Sequence, residues 1–459
     1  MSDGYDVVVI GAGTGGYSAA LRSAQLGKRV ALVERDERLG GTCLLRGCIP
    51  TKALLRSAEV LDTVNRAAEW GITASGEPDW ISIVAFENRM VDKLVTGLTA
   101  LVKHRGIDVV RGDARLAQGP AVEVDGRRLS AADVVIATGS APKLLPGLTI
   151  TGRIIASDQA LWLPFIPASA VVIGAGAVGL EFASLYRSFG AEVTLLEALP
   201  RLAPLEDEDV SKEITRAFHK RGITTVAGAN VSRVEPAGEL VDVAYEDAGQ
   251  PKTLSVEVCL VAVGRGPVTD GLGLEGAGVE LDRGFVKVDG QLQTTVPHVW
   301  AVGDVAATPL QLAHVAFTEG MAVAERIAGA AVPEIDYANL PRVTYCTPEI
   351  ASVGLTEAQA VERGHDVASE RFDFKGVGKA NILGEGGIVK VVTEVNGGPV
   401  LGVHMVGPHV TDLISEAMLI TNWEAVPAEV AALIHPHPTL SEAMGEAHLA
   451  LAGKPLHSA

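Results

Sequence analysis

The start of the chain alternates continuous apolar runs with glycine-rich turns. The apolar run 6–10 is followed by the glycine-rich segment 11–16 and by a predicted helix over residues 17–26. A second apolar run, 29–33, ends at Glu34. Strands that are buried on both faces read as uninterrupted apolar runs, so this order predicts a βαβ unit.

The glycines of this unit occupy the three positions of a dinucleotide-binding fingerprint. Gly11 allows the tight turn, Gly13 lets backbone N–H groups approach a pyrophosphate, and Gly16 lets helix and strand pack closely. Glu34 lies 18 residues beyond Gly16, where an acid accepts hydrogen bonds from ribose hydroxyls. We therefore predict a bound dinucleotide. The alternative is a glycine-rich turn in an unrelated α/β domain.

The same unit recurs 163 residues later. The apolar run 170–173 leads into the glycine-rich segment 174–179, and the next predicted strand ends at Glu197. An acid at this position favours the 2′-hydroxyl of NAD and repels the additional phosphate of NADP. Arg201 follows, but one arginine after an acid is poor phosphate recognition, so the repeat predicts NAD. Two fingerprints imply two dinucleotides, which suggests a flavin that passes electrons to a nicotinamide.

Two further apolar runs, 133–139 and 258–265, are each predicted as a buried strand ending in glycine. A third run, 299–304, resembles them but ends in Gly303-Asp304. A buried strand that delivers one aspartate into a turn can bind a sugar hydroxyl. The alternative is that Asp304 caps the helix that follows.

The pattern changes after about Asp336. Short alternating runs at 387–395 and 400–406 predict an antiparallel sheet. Predicted helices at 410–421 and 439–451 flank it. We interpret this region as a separate C-terminal domain.

Composition excludes several classes of protein. The 459 residues are 47% hydrophobic and 20% charged, as in a globular protein, and the net charge of −18 argues against nucleic acid or an anionic membrane as a partner. The first residues lack the features of a secretory signal, and the longest uncharged stretch, 159–180, contains prolines that disfavour a spanning helix. Four cysteines are too few for a secreted disulfide framework, so we expect a cytoplasmic enzyme. No Cys/His set has metal-ligand spacing, so no metal is expected.

Cys43 and Cys48 are the strongest candidates for chemistry. They are five residues apart, and a turn at Gly47 would let them close a small disulfide loop. Cys48 begins a predicted helix, whose positive N-terminal end would lower the pKa of its thiol. Cys48 is therefore the better thiolate and Cys43 the more exposed exchanger. The alternative is that Cys43 and Cys48 are buried apolar cysteines without a chemical role. For Cys259 and Cys346, packing in the core is the preferred interpretation.

A His-Pro-His-Pro segment near the end of the chain carries the candidate base. Thiol–disulfide chemistry needs a base for the proton of the incoming thiol, and His437 can serve, with Glu442 to orient its imidazole. The alternative is structural, because Thr439 and Glu442 have the spacing of a helix capping box. His435 is interpreted as structural.

Taken together, these motifs resemble the pyridine nucleotide–disulfide oxidoreductase family over essentially the whole chain, and most closely its members that oxidise dihydrolipoamide. The resemblance implies an α/β fold with two Rossmann-like dinucleotide-binding domains and an α+β interface domain. The implied domains are 1–145 for FAD and the disulfide, 146–266 for NAD, 267–336 as an FAD-side central segment, and 337–459 for dimerisation. The residues implied to contact FAD are Gly11, Gly13, Gly16, Glu34, Gly41, Thr42, Thr138, Gly139, Gly303, Asp304, Leu312, Ala313 and His314, and those for NAD are Gly174, Gly176, Gly179, Glu197, Gly264 and Arg265.

The resemblance also implies a homodimer with a composite active site, in which His437 and Glu442 reach the cysteine pair of the other subunit. Dihydrolipoamide carried on the lipoyl-bearing acyltransferase of a 2-oxo acid dehydrogenase or related complex would be oxidised to lipoamide. Cys43 would exchange with substrate, Cys48 would contact the flavin, and NAD⁺ would receive the hydride. Lys52 would lie by the flavin and pair with Glu181, although Glu181 could instead be a solvated helix charge.

Two features leave room for other interpretations. Leu45 and Arg46 replace the Asn and Val usual in the family's cysteine loop, and a cation there is expected to favour thiolate and shift the redox potential. The competing function is an NAD(P)H-dependent reductase of another small disulfide. Ala177 and Glu197 disfavour one enzyme of that kind, an NADPH-dependent reductase of the glutathione type. A non-catalytic flavoprotein is the alternative from a different class.

Overall fold

The structure is a computed structural model that describes residues 4–457, so the outermost residues of the first and last predicted domains lie outside it. The described residues form α-helices at α1 (Thr14–Gln25), α2 (Gly41–Arg46), α3 (Cys48–Asn65), α4 (Trp80–His104), α5 (Ser157–Ala160), α6 (Ala177–Ser188), α7 (Glu208–Lys220), α8 (Ala313–Ile327), α9 (Glu357–Glu362), α10 (Gly378–Leu383), α11 (Val410–Asn422), α12 (Pro427–Val430) and α13 (Glu442–Leu451).

The strands alternate with these helices in the first part of the chain and dominate later. They are β1 (Tyr5–Ile10), β2 (Val30–Glu34), β3 (Asp108–Arg111), β4 (Ala114–Leu116), β5 (Ala121–Val124), β6 (Arg127–Ile136), β7 (Ser140–Pro142), β8 (Ile154–Ile155), β9 (Ser169–Ile173), β10 (Glu192–Glu197), β11 (Thr224–Ala227), β12 (Asn230–Ala237), β13 (Leu240–Asp247), β14 (Gln250–Val256), β15 (Val258–Val261), β16 (Arg265–Pro267), β17 (Leu281–Asp282), β18 (Phe285–Val286), β19 (Val299–Ala301), β20 (Arg342–Thr344), β21 (Glu349–Gly354), β22 (Val367–Asp373), β23 (Ile388–Glu394) and β24 (Val400–Gly407).

The chain divides into two compact units. Among the described residues, the first unit contains 4–54, 79–143 and 264–337, and the second contains 55–78, 144–263 and 338–457. The second unit therefore holds both the predicted NAD region and the predicted C-terminal domain. The finer division into four domains remains a prediction.

A mostly parallel sheet forms the centre of the first unit. Its strand order is β3-β2-β1-β6-β5-β4, with β19 paired to β6. Every residue of β2 is buried, as expected for a strand covered on both faces. The predicted strand at 133–139 is the end of the longer β6, whose first half pairs with β5 in an antiparallel hairpin. Helices α1 and α8 pack against one another beside this sheet.

Three sheets form the second unit. A parallel sheet has the order β11-β10-β9-β15-β8, and β12, β13 and β14 form an antiparallel meander. The third is an antiparallel sheet with the order β20-β21-β24-β23-β22, and α11 and α13 pack on it around buried side chains such as Phe374 and Met405. The predicted fold class is confirmed.

A buried lysine ties the start of α7 to the C-terminal sheet within the second unit. Lys390 Nζ lies 2.9 Å from Asp207, 2.8 Å from Asp209 and 2.7 Å from Glu357. Burial alone would lower the pKa of Lys390, but hydrogen bonds to the carboxylates raise it. Asp207 also caps α7 through its side chain. The lysine is therefore charged and enclosed by acceptors, as a buried charge has to be.

Candidate active site

The cysteine loop lies in the first unit, between two helices. Cys43 is in α2, Cys48 is the first residue of α3 as predicted, and both are half-buried. A Cβ at Gly47 would lie 2.9 Å from the carbonyl oxygen of Thr42, so the chain can return this closely only because Gly47 has no side chain. The turn brings the two cysteines together.

The two cysteines are present as thiols. A hydrogen bond to Cys48 is the largest cause that raises the pKa of the Cys43 thiol, followed by burial, while the charge of Lys52 opposes both. Cys43 therefore keeps its proton and donates it toward Cys48. Cys48 stands at the N-terminal end of an 18-residue helix, where the helix dipole stabilises negative charge.

Arg46 does not direct its charge at the thiols in this structure. Its guanidinium forms an ion pair with Asp36, whose carboxylate compensates the charge. Lys52 is the cation that lowers the pKa of Cys43, although burial and Cys48 outweigh it. The expected effect of Arg46 on the redox potential remains a prediction, and the ion pair argues that it is small.

The first fingerprint is a cradle made of backbone. A Cβ at Gly16 would lie 1.8 Å from the Gly11 carbonyl oxygen, and one at Gly11 would lie 2.4 Å from the Ala137 carbonyl oxygen. A Cβ at Gly41 would lie 2.5 Å from the Cα of Gly13, so the loop before the cysteines passes directly beside the fingerprint. Helix α1 begins here with no side-chain cap, which leaves its first N–H groups for an anion.

Glu34 completes this cradle from the end of β2. Its Oε2 accepts the Ala12 N–H at 2.7 Å, and its Oε1 accepts the Asp36 N–H at 3.0 Å. A carboxylate has about four acceptor positions, so two remain for ribose hydroxyls. The arrangement fits the adenosine end of a dinucleotide such as FAD.

The second fingerprint repeats this geometry in the second unit. A Cβ at Gly179 would lie 1.8 Å from the Gly174 carbonyl oxygen, and a Cβ at Gly176 would meet nothing within 4 Å. Glu197 accepts the Ala175 N–H at 2.6 Å and the Leu199 N–H at 2.8 Å. Helix α6 also begins without a side-chain cap. The residues present fit a second dinucleotide.

Asp304 is held inside the first unit. Its Oδ2 accepts the Ser140 hydroxyl at 2.6 Å. The next helix, α8, begins at Ala313, so the interpretation of Asp304 as its cap is wrong. Leu312 immediately precedes α8, and Ala313 and His314 open it. The contact of these three residues with FAD remains a prediction.

Arg265 was predicted with the NAD residues, but its side chain lies among residues of the first unit. It donates from Nε to the Ser140 hydroxyl at 2.7 Å and lies 4.0 Å from Asp304. It also reaches the Thr42 hydroxyl at 3.5 Å. Gly264 begins the same segment. These contacts place the Arg265 side chain beside the predicted FAD residues Thr42 and Asp304, and its contact with NAD remains a prediction. Ser140, which links Arg265 to Asp304, was not predicted from sequence.

Thr138 and Gly139, which are predicted to contact FAD, also lie in the first unit. The Thr138 hydroxyl donates to the Val268 carbonyl oxygen at 2.7 Å. Gly139 follows with φ +71°, a conformation that favours glycine. Both residues connect β6 to β7, so they shape the turn that leads to Ser140.

Glu181 is buried in α6, and the interpretation of a solvated helix charge is wrong. Its Oε1 accepts the Tyr345 N–H at 3.0 Å. One turn later, the Ser184 hydroxyl accepts the Thr347 N–H at 2.9 Å. The segment after β20 is therefore fastened to α6. The pairing of Glu181 with Lys52 remains a prediction.

Arg221, which was not predicted from sequence, anchors this segment. Its guanidinium donates to Ser184 at 2.6 Å, to the Thr347 carbonyl oxygen at 2.9 Å, to Ser188 at 2.7 Å and to Asp62 at 2.9 Å. Burial lowers its pKa, and the charge of Asp62 opposes that shift. These partners are far apart in sequence, so no local pattern could have revealed them.

His437 and Glu442 form the predicted pair. The imidazole donates from Nδ1 to Glu442 Oε1 at 2.7 Å, and the His437 side chain is 76% exposed. Glu442 Oε2 accepts the Thr439 N–H at 2.8 Å. Burial would raise the pKa of Glu442, but its hydrogen bonds with His437 and Thr439 lower it, so it remains a carboxylate.

Only half of the predicted capping box is present. Glu442 does accept the Thr439 N–H, but the Thr439 hydroxyl donates to the Pro436 carbonyl oxygen at 2.7 Å. Helix α13 consequently begins at Glu442, three residues later than predicted. Glu442 therefore has both predicted roles. Its Oε1 orients the candidate base His437, and its Oε2 accepts the Thr439 N–H before the start of α13.

His435 belongs to a different pair. Its Nε2 donates to Glu416 on α11 at 2.8 Å, and this bond is the largest cause that raises its pKa. A Cβ at Gly445 would lie 2.6 Å from His435 Nδ1. The histidine therefore connects α11 to α13 beside the candidate base.

Between residues 4 and 457, no group of three or more His, Cys, Asp or Glu side chains is arranged to hold a metal ion. In the same part of the chain, no helix has both the length and the apolar character needed to cross a bilayer.

Comparison with known proteins agrees with this geometry. The family pattern "Pyridine nucleotide-disulphide oxidoreductase" matches residues 5–320, and the dimerisation domain of the same family matches residues 340–448. The chain belongs to this family. Its dimerisation domain implies a homodimer, and the family implies FAD and a pyridine nucleotide.

Full-length relatives of this oxidoreductase share one name. Dihydrolipoyl dehydrogenase from Bacillus subtilis is 42% identical over 476 residues, covering 100% of both chains. The enzyme of the same name from Rhizobium etli is 41% identical, with 100% of both chains covered, and that from Mycobacterium tuberculosis is 40% identical, with 98% covered.

Solved structures extend the likeness to other members. LpdA from Mycobacterium tuberculosis has a TM-score of 0.89 at 26% identity, covering 97% of this chain and 99% of its own. The HOCl-induced flavoprotein disulfide reductase RclA from Escherichia coli has a TM-score of 0.87 at 28% identity, with the same coverage. The protein is accordingly a flavoprotein disulfide oxidoreductase with a redox-active Cys43/Cys48 pair.

Proposed function

We propose that this oxidoreductase is an NAD-linked dihydrolipoyl dehydrogenase that oxidises dihydrolipoamide to lipoamide. The observation that carries the proposal is the Cys43–Cys48 pair, hydrogen-bonded at the positive end of α3. The shared name of relatives that are 40–42% identical over nearly their whole length supports the choice of substrate.

The cysteine pair performs the exchange with substrate. One thiolate of dihydrolipoamide attacks Cys43 of the oxidised pair, the Cys43–Cys48 bond breaks, and its electron pair passes to Cys48. The second substrate sulfur then displaces Cys43, so lipoamide leaves and both cysteines are reduced. When bound, FAD would supply the route for the two electrons from this dithiol to NAD⁺.

The proton of the incoming thiol goes to a histidine. We assign this role to the partner subunit's His437, since the His437 side chain is largely exposed in a single chain and the family dimerises. Within each chain, Glu442 fixes the imidazole through Nδ1 and leaves Nε2 directed away from the carboxylate. The carboxylate stabilises the imidazolium that forms.

The residues proposed to hold the cofactors follow from the two cradles. The first fingerprint, Glu34 and Asp304 would hold FAD, while the second fingerprint and Glu197 would hold NAD. The acid at the end of β10 supports NAD over NADP because it would repel a 2′-phosphate. A lipoyl-bearing acyltransferase is the proposed carrier of the substrate, and the cytoplasm is the proposed location.

A second candidate is an NAD(P)H-dependent reductase of another small disulfide. It is favoured by one observation, the TM-score of 0.87 with RclA, which is described as a disulfide reductase. The identity to RclA is 28%, against 42% to the Bacillus subtilis dehydrogenase, so the dehydrogenase is preferred.

The deciding experiment is a steady-state assay in both directions. We expect turnover of dihydrolipoamide with NAD⁺, far slower turnover with NADP⁺, and slow NAD(P)H-driven reduction of glutathione-like disulfides. Cys43→Ser or Cys48→Ser should abolish lipoamide turnover, whereas His298→Gln, a change of an exposed histidine, should not alter it. Efficient reduction of another disulfide without dihydrolipoamide oxidation would establish the second candidate.

Mixed dimers test the composite site. When Cys43→Ser chains are combined with His437→Gln chains, one site of each mixed dimer has both residues intact if the site is built from two subunits. Activity should then reappear from two inactive parents. If mixing restores nothing although mixed dimers form, His437 does not act across the interface.

A further inference from the structure

A fully buried carboxylate, Glu319, lies on α8 of the first unit beside the Gly303-Asp304 turn. Its Oε2 accepts the Gly303 N–H at 2.6 Å. Its Oε1 accepts the Tyr337 hydroxyl at 2.8 Å, and a side-chain hydrogen bond joins it to Thr308. These donors replace the water that Glu319 loses on burial, so both of its oxygens are held by the protein.

The bond to Gly303 determines what the turn can offer a ligand. Gly303 has φ +71°, and its N–H is directed to Glu319, so it is occupied by the protein. Gly303 would therefore contribute to cofactor binding through its backbone conformation and not through its N–H. The adjacent Asp304 uses Oδ2 for Ser140 at 2.6 Å, and its carboxylate retains acceptor positions for a further hydroxyl.

We propose that Glu319 is a positioning residue for the flavin nucleotide: by holding the Gly303 N–H it fixes the turn from which Asp304 accepts a hydroxyl of the bound dinucleotide. This inference rests on the proposed function, which places FAD at Asp304. In this role Glu319 acts through the turn that it holds.

Two neighbours make the positioning specific. Tyr337 is the last residue of the first unit, so its hydroxyl fastens the end of that unit to the same carboxylate. Gly320, the next residue of α8, packs so closely that its Cβ would lie 2.3 Å from the Gly15 carbonyl oxygen on α1. Helix α8 thus cannot shift to compensate for a changed side chain at 319, and the turn would move instead.

Burial is the largest influence on this carboxyl and raises its pKa, while the bonds from Gly303, Tyr337 and Thr308 oppose the shift. Glutamine at this position has the same shape but only one acceptor oxygen. If its amide nitrogen faces the Gly303 N–H, that bond is lost. If it faces the Tyr337 hydroxyl, which can accept, the Gly303 N–H keeps a neutral acceptor in place of a charged one. In either orientation the bond that holds the turn is weakened without opening a cavity.

The test measures FAD retention in the purified holoenzyme. We expect Glu319→Gln to release FAD about tenfold faster on dilution, as a lost hydrogen bond to a charged group predicts, and to alter the visible circular dichroism of the flavin. Tyr337→Phe, which leaves the Gly303 bond in place, should change both in the same direction by a smaller factor. Glu280→Gln, the same change at a surface ion pair with Lys287, should behave as wild type.

The outcomes separate this inference from the proposed function. Wild-type protein that binds no flavin would remove the proposed function. Wild type with bound flavin, and Glu319→Gln with unchanged FAD release and flavin spectrum, would overturn only the positioning role, even if thermal stability falls. If Glu319→Gln does not fold, Tyr337→Phe decides: faster FAD release supports the role and unchanged release overturns it.

Discussion

The two fingerprint loops have nearly identical backbones and different surroundings. In both, a Cβ at the third glycine of the fingerprint would lie 1.8 Å from the carbonyl oxygen of the first glycine. In both, a glutamate accepts the N–H of the alanine 22 residues before it, Glu34 from Ala12 and Glu197 from Ala175. The helices that follow differ in what covers them. Helix α1 packs on α8, whereas α6 is fastened to the Tyr345–Thr347 segment through Glu181 and Ser184.

This difference has a sequence origin. Gly15 in the first loop corresponds to Val178 in the second, and Ser18 corresponds to Glu181. A Cβ at Gly15 would already lie 3.1 Å from Val302 and 3.4 Å from the Ala316 carbonyl oxygen, so α8 can approach only a glycine. The loops thus specify a dinucleotide, and the helix faces specify which partner elements surround it.

The largest expected effect comes from Gly16→Ala and Gly179→Ala. Each Cβ would collide with backbone, because the nearest carbonyl oxygen is 1.8 Å away. We expect Gly16→Ala to yield protein without flavin. Gly179→Ala should retain the flavin spectrum but raise the KM for NAD⁺ about a hundredfold, as overpacking by a few kcal/mol implies. Flavin absorbance and NAD⁺ kinetics measure the two effects.

The control for this pair is Gly152→Ala, since a Cβ there would meet nothing within 4 Å. It should leave both readings unchanged. Loss of flavin from Gly179→Ala would show that the two loops do not act on separate dinucleotides.

Exchanging the residues that distinguish the helices tests their packing. Gly15→Val should lower stability by about 2 kcal/mol, because the larger side chain is forced against Val302 and α8. Val178→Gly should cost only about 1 kcal/mol, the usual penalty of glycine in a helix. Thermal unfolding of the holoenzyme gives both values. Equal losses would contradict the proposed role of the α1–α8 contact.

A smaller effect is expected at the acids. Glu34→Gln and Glu197→Gln each leave one backbone N–H facing an amide nitrogen, since both carboxylates accept two N–H groups. The loss of about 1–2 kcal/mol predicts roughly tenfold weaker binding of the corresponding dinucleotide. FAD release should change only in Glu34→Gln, and the KM for NAD⁺ only in Glu197→Gln. Effects on both cofactors from one variant would argue against the assignment.

The last expected effect is a difference in acid sensitivity between the units. Burial raises the pKa of Glu87 in the first unit to about 7, so its fold favours the protonated form and gains stability as pH falls from 7 toward the ordinary value near 4.3. Burial lowers the pKa of His448 in the second unit to about 4, so its contribution is present above about 6.5 and is lost as pH falls toward 4.

Acidification from pH 7 to 5 should therefore weaken the second unit relative to the first, by about 2 kcal/mol from each of the two groups. Hydrogen exchange of peptides from each unit measures this. His448→Gln should remove the acid sensitivity of the second unit, and Glu87→Gln should remove the opposite trend in the first. Parallel pH profiles in both units, with no response to either variant, would refute the prediction.

The parts of the fold that depend on local pattern were predictable. Both βαβ units are regular because an apolar run, a glycine turn and a helix follow within about thirty residues. The meander β12–β14 was not predicted, since most of its first strand is exposed and half of the residues of that strand are polar. The start of α13 was predicted three residues early because the Thr439 hydroxyl bonds to Pro436 instead of the helix.

The same division holds at the site. Cys48 at a helix start and the pairing of His437 with Glu442 depend on neighbours in the chain and were predictable. Ser140 and Arg221 act through partners more than a hundred residues away, such as Asp304 and Asp62. A single sequence holds no record of those contacts, so only the folded structure reveals them.

Lys390 has a practical consequence. Its ammonium group is enclosed by three carboxylates and is 5% exposed, so an amine-reactive reagent has no approach to it in the folded chain. Most other lysines, such as Lys212 at 65%, would react at once. Labelling of this one side chain would therefore act as a clock for transient opening between α7 and the C-terminal sheet, readable by mass spectrometry at equilibrium without denaturant.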